Sequence, residues 1–168
     1  MINIFDRIIN YFSKKNDYIK IFSEQDVRVE GWFKGELLKL FTSMKNINFE
    51  REFKIAKKKI DFMIKKNNNI NLIEIKTLCI SKTKTSRTLN FYFGEKDQVG
   101  IFKDFIKLNK IKDDSKKYVI GFVYPFKKAN NLNDNLKKAK RIFPEWKLIK
   151  KEIKGSLLIL IWKRQIKK

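Results

Sequence analysis

Residues 59–77 constrain this chain more than any other stretch, because a strand-pair pattern there has charged side chains built into it. One apolar run contains Asp61 and the next contains Glu74 and Lys76, with the polar residues 65–69 between them. Successive side chains of a strand point to opposite faces, so Glu74 and Lys76 project from the same face and the apolar residues beside them can be buried on the other. The pattern predicts a hairpin that holds two acids and a lysine on rigid strands.

The charge of the chain favours a polyanionic partner. It carries 40 Lys and Arg against 18 Asp and Glu, a net charge of +22 over 168 residues. A field of this strength favours nucleic acid, because each neutralised phosphate releases counterions. Lys, Ile, Asn and Phe make up more than half of the sequence, however, and an AT-rich genome produces that bias in any protein. The charge therefore raises the expectation of nucleic-acid binding only modestly.

The absence of histidine narrows the chemistry further. With no His in the chain, Ser-His-Asp and Cys-His machinery and His-bound zinc are excluded. Hydrolysis would have to use carboxylates, lysine and a hard metal that prefers oxygen ligands. The single cysteine, Cys79, excludes an internal disulfide and is expected to be buried. No apolar run is long enough for a membrane helix, so we expect a soluble cytoplasmic protein with no membrane partner.

Periodicity predicts an α/β domain in which helices flank a central mixed sheet. The predicted helices cover residues 2–12, 24–44, 95–109 and 132–143. The predicted strands cover residues 48–56, 59–64, 71–77, 118–124 and 157–162. We expect one domain over 1–168, divided into an N-terminal helical extension (1–22), a core (24–124), and a C-terminal helix and strand (125–168).

The second predicted helix offers an acid near the hairpin. Ser23 is the predicted N-cap. Glu36 lies at the border of the apolar stripe, where its carboxylate can face inward, and Glu30 is the alternative. Either acid could instead be an ordinary surface residue paired with a nearby lysine.

Asp61, with Glu74-Ile75-Lys76 thirteen residues later and Glu36 on a preceding helix, resembles the motif of the PD-(D/E)XK nuclease superfamily. The resemblance implies a restriction-endonuclease-like core of order α-β-β-β-α-β. Within the superfamily the chain is most similar to archaeal Holliday-junction resolvases and related restriction-type endonucleases. It departs from the motif at Ile60, where the family has proline.

The resemblance also implies a mechanism and a set of site residues. A Mg²⁺ ion, for which Mn²⁺ can substitute, would be held by Asp61, Glu74 and the backbone carbonyl of Ile75, and Glu36 would complete the metal shell or hold a second ion. Lys76 would orient the attacking water and stabilise charge on the phosphate, and Gln98 would position Lys76 or contact the nucleic-acid backbone. The implied activity is Mg²⁺-dependent endonucleolytic hydrolysis of DNA, restriction-like or specific for DNA structure.

Two basic stretches are predicted to hold the nucleic-acid backbone, and they are made up of Lys57, Lys58, Lys59, Lys82, Lys84 and Arg87. DNA is the expected partner, and RNA is not excluded. One alternative is a non-catalytic DNA- or RNA-binding module on the same fold, and another is a buried ion pair without chemistry. A symmetric substrate would require a homodimer, for which the N-terminal helix or the aromatics at 91–93 are candidate contacts.

Overall fold

In the computed structural model, residues 3–25, 29–45, 47–80, 92–94, 100–125 and 131–165 are described. They contain five helices: α1 (Ile4–Ser13), α2 (Asn16–Glu24), α3 (Glu30–Thr42), α4 (Ile101–Asn109) and α5 (Leu132–Ile142). They also contain six strands: β1 (Asn48–Ile55), β2 (Lys58–Lys66), β3 (Asn69–Cys79), β4 (Lys116–Tyr124), β5 (Trp146–Lys154) and β6 (Leu157–Arg164).

The six strands form one mixed sheet in the order β1-β2-β3-β4-β6-β5. β3 and β4 are parallel, whereas all other neighbours are antiparallel. A parallel pair needs a crossover connection, and α4 lies in the segment that joins β3 to β4. The chain is therefore an α/β protein, as predicted, and the identification of its core as restriction-endonuclease-like remains an expectation.

Helices cover both faces of the sheet and create two apolar cores. One core joins the sheet to α1, α2 and α3, and the other joins it to α4 and α5. The alternation of β6 explains how one strand serves both cores: Leu158 and Leu160 face the α4 side, and Ile159 and Ile161 face the α1 side. A strand buried on both faces has a continuous apolar sequence, and residues 157–162 show that pattern.

The sheet is irregular at Asp61. Ile60 packs in the core beside α4, yet Phe62 packs in the core beside α3, although residues two apart normally share a face. The β1–β2 ladder pairs Arg51 with Phe62 and Phe53 with Ile60, and between them Glu52 has a φ of 56°. Such irregularities re-aim side chains, and this one occurs at the predicted site acid.

The β2–β3 ladder also ends beside Asp61. Its pairing runs from Lys66 opposite Asn69 to Phe62 opposite Ile73. One further step would place Asp61 opposite Glu74, but the two strands separate there. β3 continues alone beside β4 as far as Cys79. The separation opens the sheet on one side of Glu74 and Lys76.

Gly100 is the N-cap of α4, and its position fixes where the acids and lysines of that helix lie. Its φ is 120°, a backbone conformation that residues other than glycine rarely adopt. A Cβ at this position would overlap the backbone carbonyl of Tyr92. The close approach of these two segments therefore requires glycine.

The structure corrects several predicted elements. Ser23 does not cap a helix: it lies in α2, which the sequence did not predict, and its hydroxyl donates to the carbonyl of Ile19 at 2.7 Å. α3 begins at Glu30 rather than at residue 24. β5 was also missed, because its lysine-rich sequence lies at the edge of the sheet.

The candidate dimer contacts are occupied within the chain. Tyr92 and Phe93 are buried in the core beside α4, and Phe91 lies outside the described residues. The apolar face of α1, including Phe5 and Phe12, is buried in the other core. Cys79 is buried, as predicted. In the described part of the chain, no helix has the length and apolar character needed to cross a membrane.

Candidate active site

Acids and lysines from four elements meet where β2 leaves β3. We call them the acid–lysine cluster, and they come from α3, β2, β3 and α4. Its members are Glu30, Lys34, Asp61, Glu74, Lys76, Asp104 and Lys107. Three of them, Asp61, Glu74 and Lys76, are site residues predicted from the sequence.

Asp61 is held by two contacts. Its Oδ2 accepts the backbone N–H of Ile75 at 2.9 Å, which takes the place of a ladder hydrogen bond where the strands separate. Its Oδ1 lies 2.8 Å from Nζ of Lys34 on α3. These contacts turn the carboxylate toward β3, so the irregularity of the sheet positions this side chain.

Glu74 and Lys76 point to the same side of β3, as the sequence predicted, and meet α4. Nζ of Lys107 lies 2.5 Å from Oε1 of Glu74. Nζ of Lys76 lies 3.8 Å from Oδ2 of Asp104. The strand presents an acid and then a lysine, and the helix presents the opposite charges three residues apart, so the two elements are electrostatically complementary.

Lys76 is also reached from the other face of the sheet. Oε2 of Glu30, at the start of α3, lies 3.8 Å from its Nζ. Oε1 of Glu30 lies 2.9 Å from Nζ of Lys34. Acids from helices on opposite faces can approach one lysine here because β2 no longer covers this side of β3.

Two carboxyl groups in the cluster have raised pKa values. Burial, followed by repulsion from Asp61 and Asp104, raises the pKa of Glu74 to about 8, although Lys107 opposes the shift. Burial also raises the pKa of Asp104 to about 6, against the attraction of Lys76 and Lys107. Raised pKa values of this kind mark groups whose charge is incompletely compensated.

The hydrogen bonding of these two carboxylates is incomplete as well. In the described part of the chain, Oδ2 of Asp104 is buried and accepts no hydrogen bond. Oε1 of Glu74 is also buried. It lies close to Nζ of Lys107, but the two groups are not oriented to form a hydrogen bond. The short contact pairs the charge of Lys107 with Glu74, and the missing hydrogen bonds leave acceptor capacity unused on both carboxylates.

Lys34 contrasts with these acids because it is well partnered. Burial alone would lower its pKa, but its ion pairs with Asp61 and Glu30 outweigh that effect and raise it. Lys34 therefore remains an ammonium, and it holds two acids of the cluster next to each other.

The structure places Glu36 away from the cluster. Oε2 of Glu36 accepts the Tyr11 hydroxyl at 2.7 Å and lies 3.0 Å from Nζ of Lys15. Oε1 lies 3.0 Å from Nζ of Lys39. All these contacts fall on α1, its following turn and α3, so the choice of Glu36 as the helical site acid is corrected. Glu30, the alternative weighed from the sequence, is the acid of α3 that reaches Lys76.

Other predicted residues fall outside the cluster or outside the described residues. Lys57 and Lys59 are exposed and Lys58 is half-buried, and Nζ of Lys59 lies 2.8 Å from Oε2 of Glu52. The predicted positions Gln98, Lys82, Lys84 and Arg87 lie outside the described residues. The described contact of Ile75 is through its amide, which donates to Asp61.

Sequence reasoning missed Lys34, Asp104 and Lys107. Asp104 had a usable signal, since it is an acid among the apolar residues of α4 and is buried there. Lys34 and Lys107 had none, because lysine is so abundant in this sequence that no single one stands out.

The donor atoms of the cluster suit a hard divalent cation. Its four acids supply only oxygen ligands, and Asp104 has an unused buried oxygen. Within the described residues, however, no three acids or cysteines meet closely enough to hold a metal ion as they stand. A bound cation would have to take over ammonium contacts that the lysines now make.

A cavity at the other end of β2 and β3 differs from the cluster in its chemistry. It has a volume of 890 Å³ and includes Ile64, Lys66 and Asn71, at the turn end of β2 and β3. Among the described residues that line it, none is acidic. Carboxylates are the ligands and bases that hydrolysis without histidine would use, so we place the candidate site at the acid–lysine cluster.

No protein-family model, curated protein or solved structure matches this chain.

Proposed function

We propose that this protein is a Mg²⁺-dependent endonuclease that hydrolyses phosphodiester bonds in DNA. The observation that carries the proposal is the meeting of Asp61, Glu74 and Lys76 where two strands of a sheet separate. Strand-borne groups are held in fixed positions, which a phosphoryl-transfer site needs. The resemblance to the PD-(D/E)XK motif supports the same assignment, and so does the net charge of +22.

Asp61 and Glu74 are the proposed ligands of the metal, with Glu30 or Asp104 completing the oxygen shell. When bound, the cation would polarise the scissile phosphate and lower the pKa of a water molecule. The protein's own contribution begins with Lys34, which fixes the position of Asp61 through its 2.8 Å contact. Lys107 faces Glu74 at 2.5 Å, in a place that a bound cation would take.

Lys76 is the proposed catalytic lysine. Its Nζ lies between two acids, 3.8 Å from Glu30 and 3.8 Å from Asp104, so its ammonium group is positioned without a short ion pair. It can therefore donate to a phosphate oxygen and orient the attacking water. Stabilisation of developing charge by one fixed donor typically contributes a factor of about 10² to 10³ in rate.

A panel of DNA substrates tests the proposal. Purified protein is incubated with duplex, single-stranded, flap and four-way DNA in Mg²⁺, Mn²⁺ or EDTA. We expect cleavage that requires the metal, and a loss of about a thousandfold in Lys76→Ala with DNA binding in EDTA retained. Lys147→Ala, which removes an exposed lysine of the edge strand β5, is the matched control and should cleave normally. Absence of metal-dependent cleavage of every substrate by the wild type would refute the enzyme assignment.

A non-catalytic nucleic-acid-binding module is the second candidate. The observation that favours it is that all four acids of the cluster already have a lysine within 4 Å. Such a protein would bind DNA or RNA with a steep salt dependence and no metal requirement. Magnesium would then leave its melting temperature unchanged, whereas a metal-binding site would raise it.

A further inference from the structure

A groove lined by lysines lies beside the acid–lysine cluster. It has a volume of 480 Å³ and lies between the start of β2 and the outer face of α4. Its lining residues are Lys58, Lys59, Lys103, Ile106, Lys107 and Lys110, and we call it the lysine groove. Its size is within the range of ligand-binding clefts in general.

The lysines of α4 recur with helical spacing. Lys103, Lys107 and Lys110 are separated by four and then three residues, so they lie along one face of the helix. Lys58 and Lys59, at the start of β2, line the opposite wall. Two elements on opposite sides thus contribute lysines to the lining of one groove.

The described lining of the groove carries charge of one sign. Within the part of the chain that the structure describes, no lining residue is acidic. Lys107 is paired with Glu74 and Lys59 with Glu52. Clefts lined by charge of one sign focus the electrostatic field and attract counter-ions. Mutual repulsion of the lysines would be relieved by an anion that spans the groove.

The groove leads directly to the candidate site. Lys107 lines it and also contacts Glu74 at 2.5 Å. An extended anion that follows the lysines along α4 would therefore reach the acids of the cluster without leaving positively charged surface. A single small anion would contact only a few of these lysines, whereas a chain of phosphates would match their spread over two elements.

We propose that the lysine groove binds the phosphodiester backbone of a DNA strand and delivers it to the acid–lysine cluster. This inference rests on the proposed function for the identity of the ligand. Because lysines contact phosphates and not base edges, the groove provides affinity without sequence preference. Ile106, which is half-buried in the same lining, supplies an apolar surface for a sugar.

Salt-dependent binding of a fluorescently labelled single-stranded oligonucleotide in EDTA tests this inference. The double variant Lys103→Ala/Lys110→Ala removes two exposed lysines of the groove and leaves Lys107 in place. We expect at least a tenfold weaker affinity at about 0.1 M salt, and a slope of log K against log [salt] that is smaller by roughly 1 to 2, since each phosphate contact contributes about 0.7 to 0.9.

The control variant is Lys147→Ala/Lys151→Ala. It removes the same charge from exposed positions on β5, the strand at the opposite edge of the sheet from β1. It should lose much less affinity than the groove variant. Equal losses in the two variants would mean that net charge alone attracts DNA, and an unchanged groove variant would mean that DNA binds elsewhere; either result overturns the inference.

Binding in EDTA separates this inference from the proposed activity. If the wild type cleaves DNA with Mg²⁺ and the groove variant binds normally, the groove assignment fails and the nuclease assignment stands. If the wild type never cleaves but the groove variant alone loses affinity, the groove assignment stands and the nuclease assignment fails. Circular dichroism and melting temperature confirm that both double variants are folded.

Discussion

Glu36 and Glu74 are two acids with little exposed surface and opposite electrostatic situations. Their exposed fractions are 5% and 3%. Burial alone would raise the pKa of both, yet hydrogen bonds from Tyr11, Lys15 and Lys39 lower the pKa of Glu36 to about 2. Glu74 has one short lysine contact and two repelling acids, and its pKa is raised to about 8.

The comparison separates a carboxylate that serves the fold from one that is available to a ligand. Glu36 has a partner for each oxygen, and these partners join α1 to α3. Glu74 and Asp104 retain acceptor capacity and sit where strands separate. Glu74 lies deeper in the protein than Glu36, and the number and sign of the partners add to that difference.

The largest expected effect comes from Glu36→Gln, which should destabilise the fold by about 2 to 3 kcal/mol near neutral pH. This figure allows for the ion pair with Lys39, which contributes little because solvent screens that exposed lysine. Because the folded-state pKa is depressed, this stabilisation is present above the ordinary pKa of about 4.3 and is lost as pH falls toward 2. Urea unfolding at pH 7 and near pH 2.5 measures both effects.

Glu24→Gln is the matched control for that experiment. Oε1 of Glu24 lies 4.0 Å from Nζ of Lys20, and both side chains are more than half exposed. An exposed pair of this kind contributes little, so the variant should unfold within about 0.5 kcal/mol of wild type. If Glu36→Gln behaves like Glu24→Gln, the distinction between the two buried acids loses its basis.

Glu74→Gln should change the free energy of unfolding in the opposite direction and stabilise the fold. A raised folded-state pKa means that folding costs free energy once pH rises above the ordinary value, with the cost growing up to about pH 8. The amide avoids that cost, and Lys107, still 28% exposed, can hydrate. We expect a gain of about 1 to 2 kcal/mol at pH 8 that disappears near pH 4.

Magnesium provides the control for Glu74→Gln. If Glu74 is a metal ligand, Mg²⁺ raises the melting temperature of wild type and leaves that of the variant unchanged. A variant less stable than wild type at pH 8 would show that the Lys107 contact stabilises the fold, which would favour a structural ion pair over a binding site.

The sequence was informative where backbone periodicity determined the outcome. Alternation placed Glu74 and Lys76 on one face and buried Ile73 and Ile75 on the other, and the structure shows both. Continuous apolar runs likewise identified β4 and the apolar part of β6. These features follow from local geometry, which the sequence encodes directly.

The sequence was less informative where contacts between distant elements determine which residues reach the candidate site. Glu30 and Glu36 both border the apolar stripe of α3. The position of α1 distinguishes them, because Tyr11 donates a hydrogen bond to Glu36 and leaves Glu30 as the acid that reaches Lys76. The irregularity of the sheet at Asp61 likewise involves Glu52, which lies across the β1–β2 ladder and has a positive φ. No periodicity in the sequence specifies either contact.

Asp104→Asn is the finest test of the comparison, because Asp104 shares the raised pKa of Glu74 but contacts Lys76 only at 3.8 Å. The amide removes a buried charge while keeping the shape of the side chain. We expect a gain in the free energy of unfolding of about 1 kcal/mol above pH 6, none near pH 4, and a loss of metal-dependent cleavage. Denaturant titrations at the two pH values and a single-turnover cleavage assay provide the measurements. Loss of stability with cleavage intact would place Asp104 with Glu36, as a group that serves the fold.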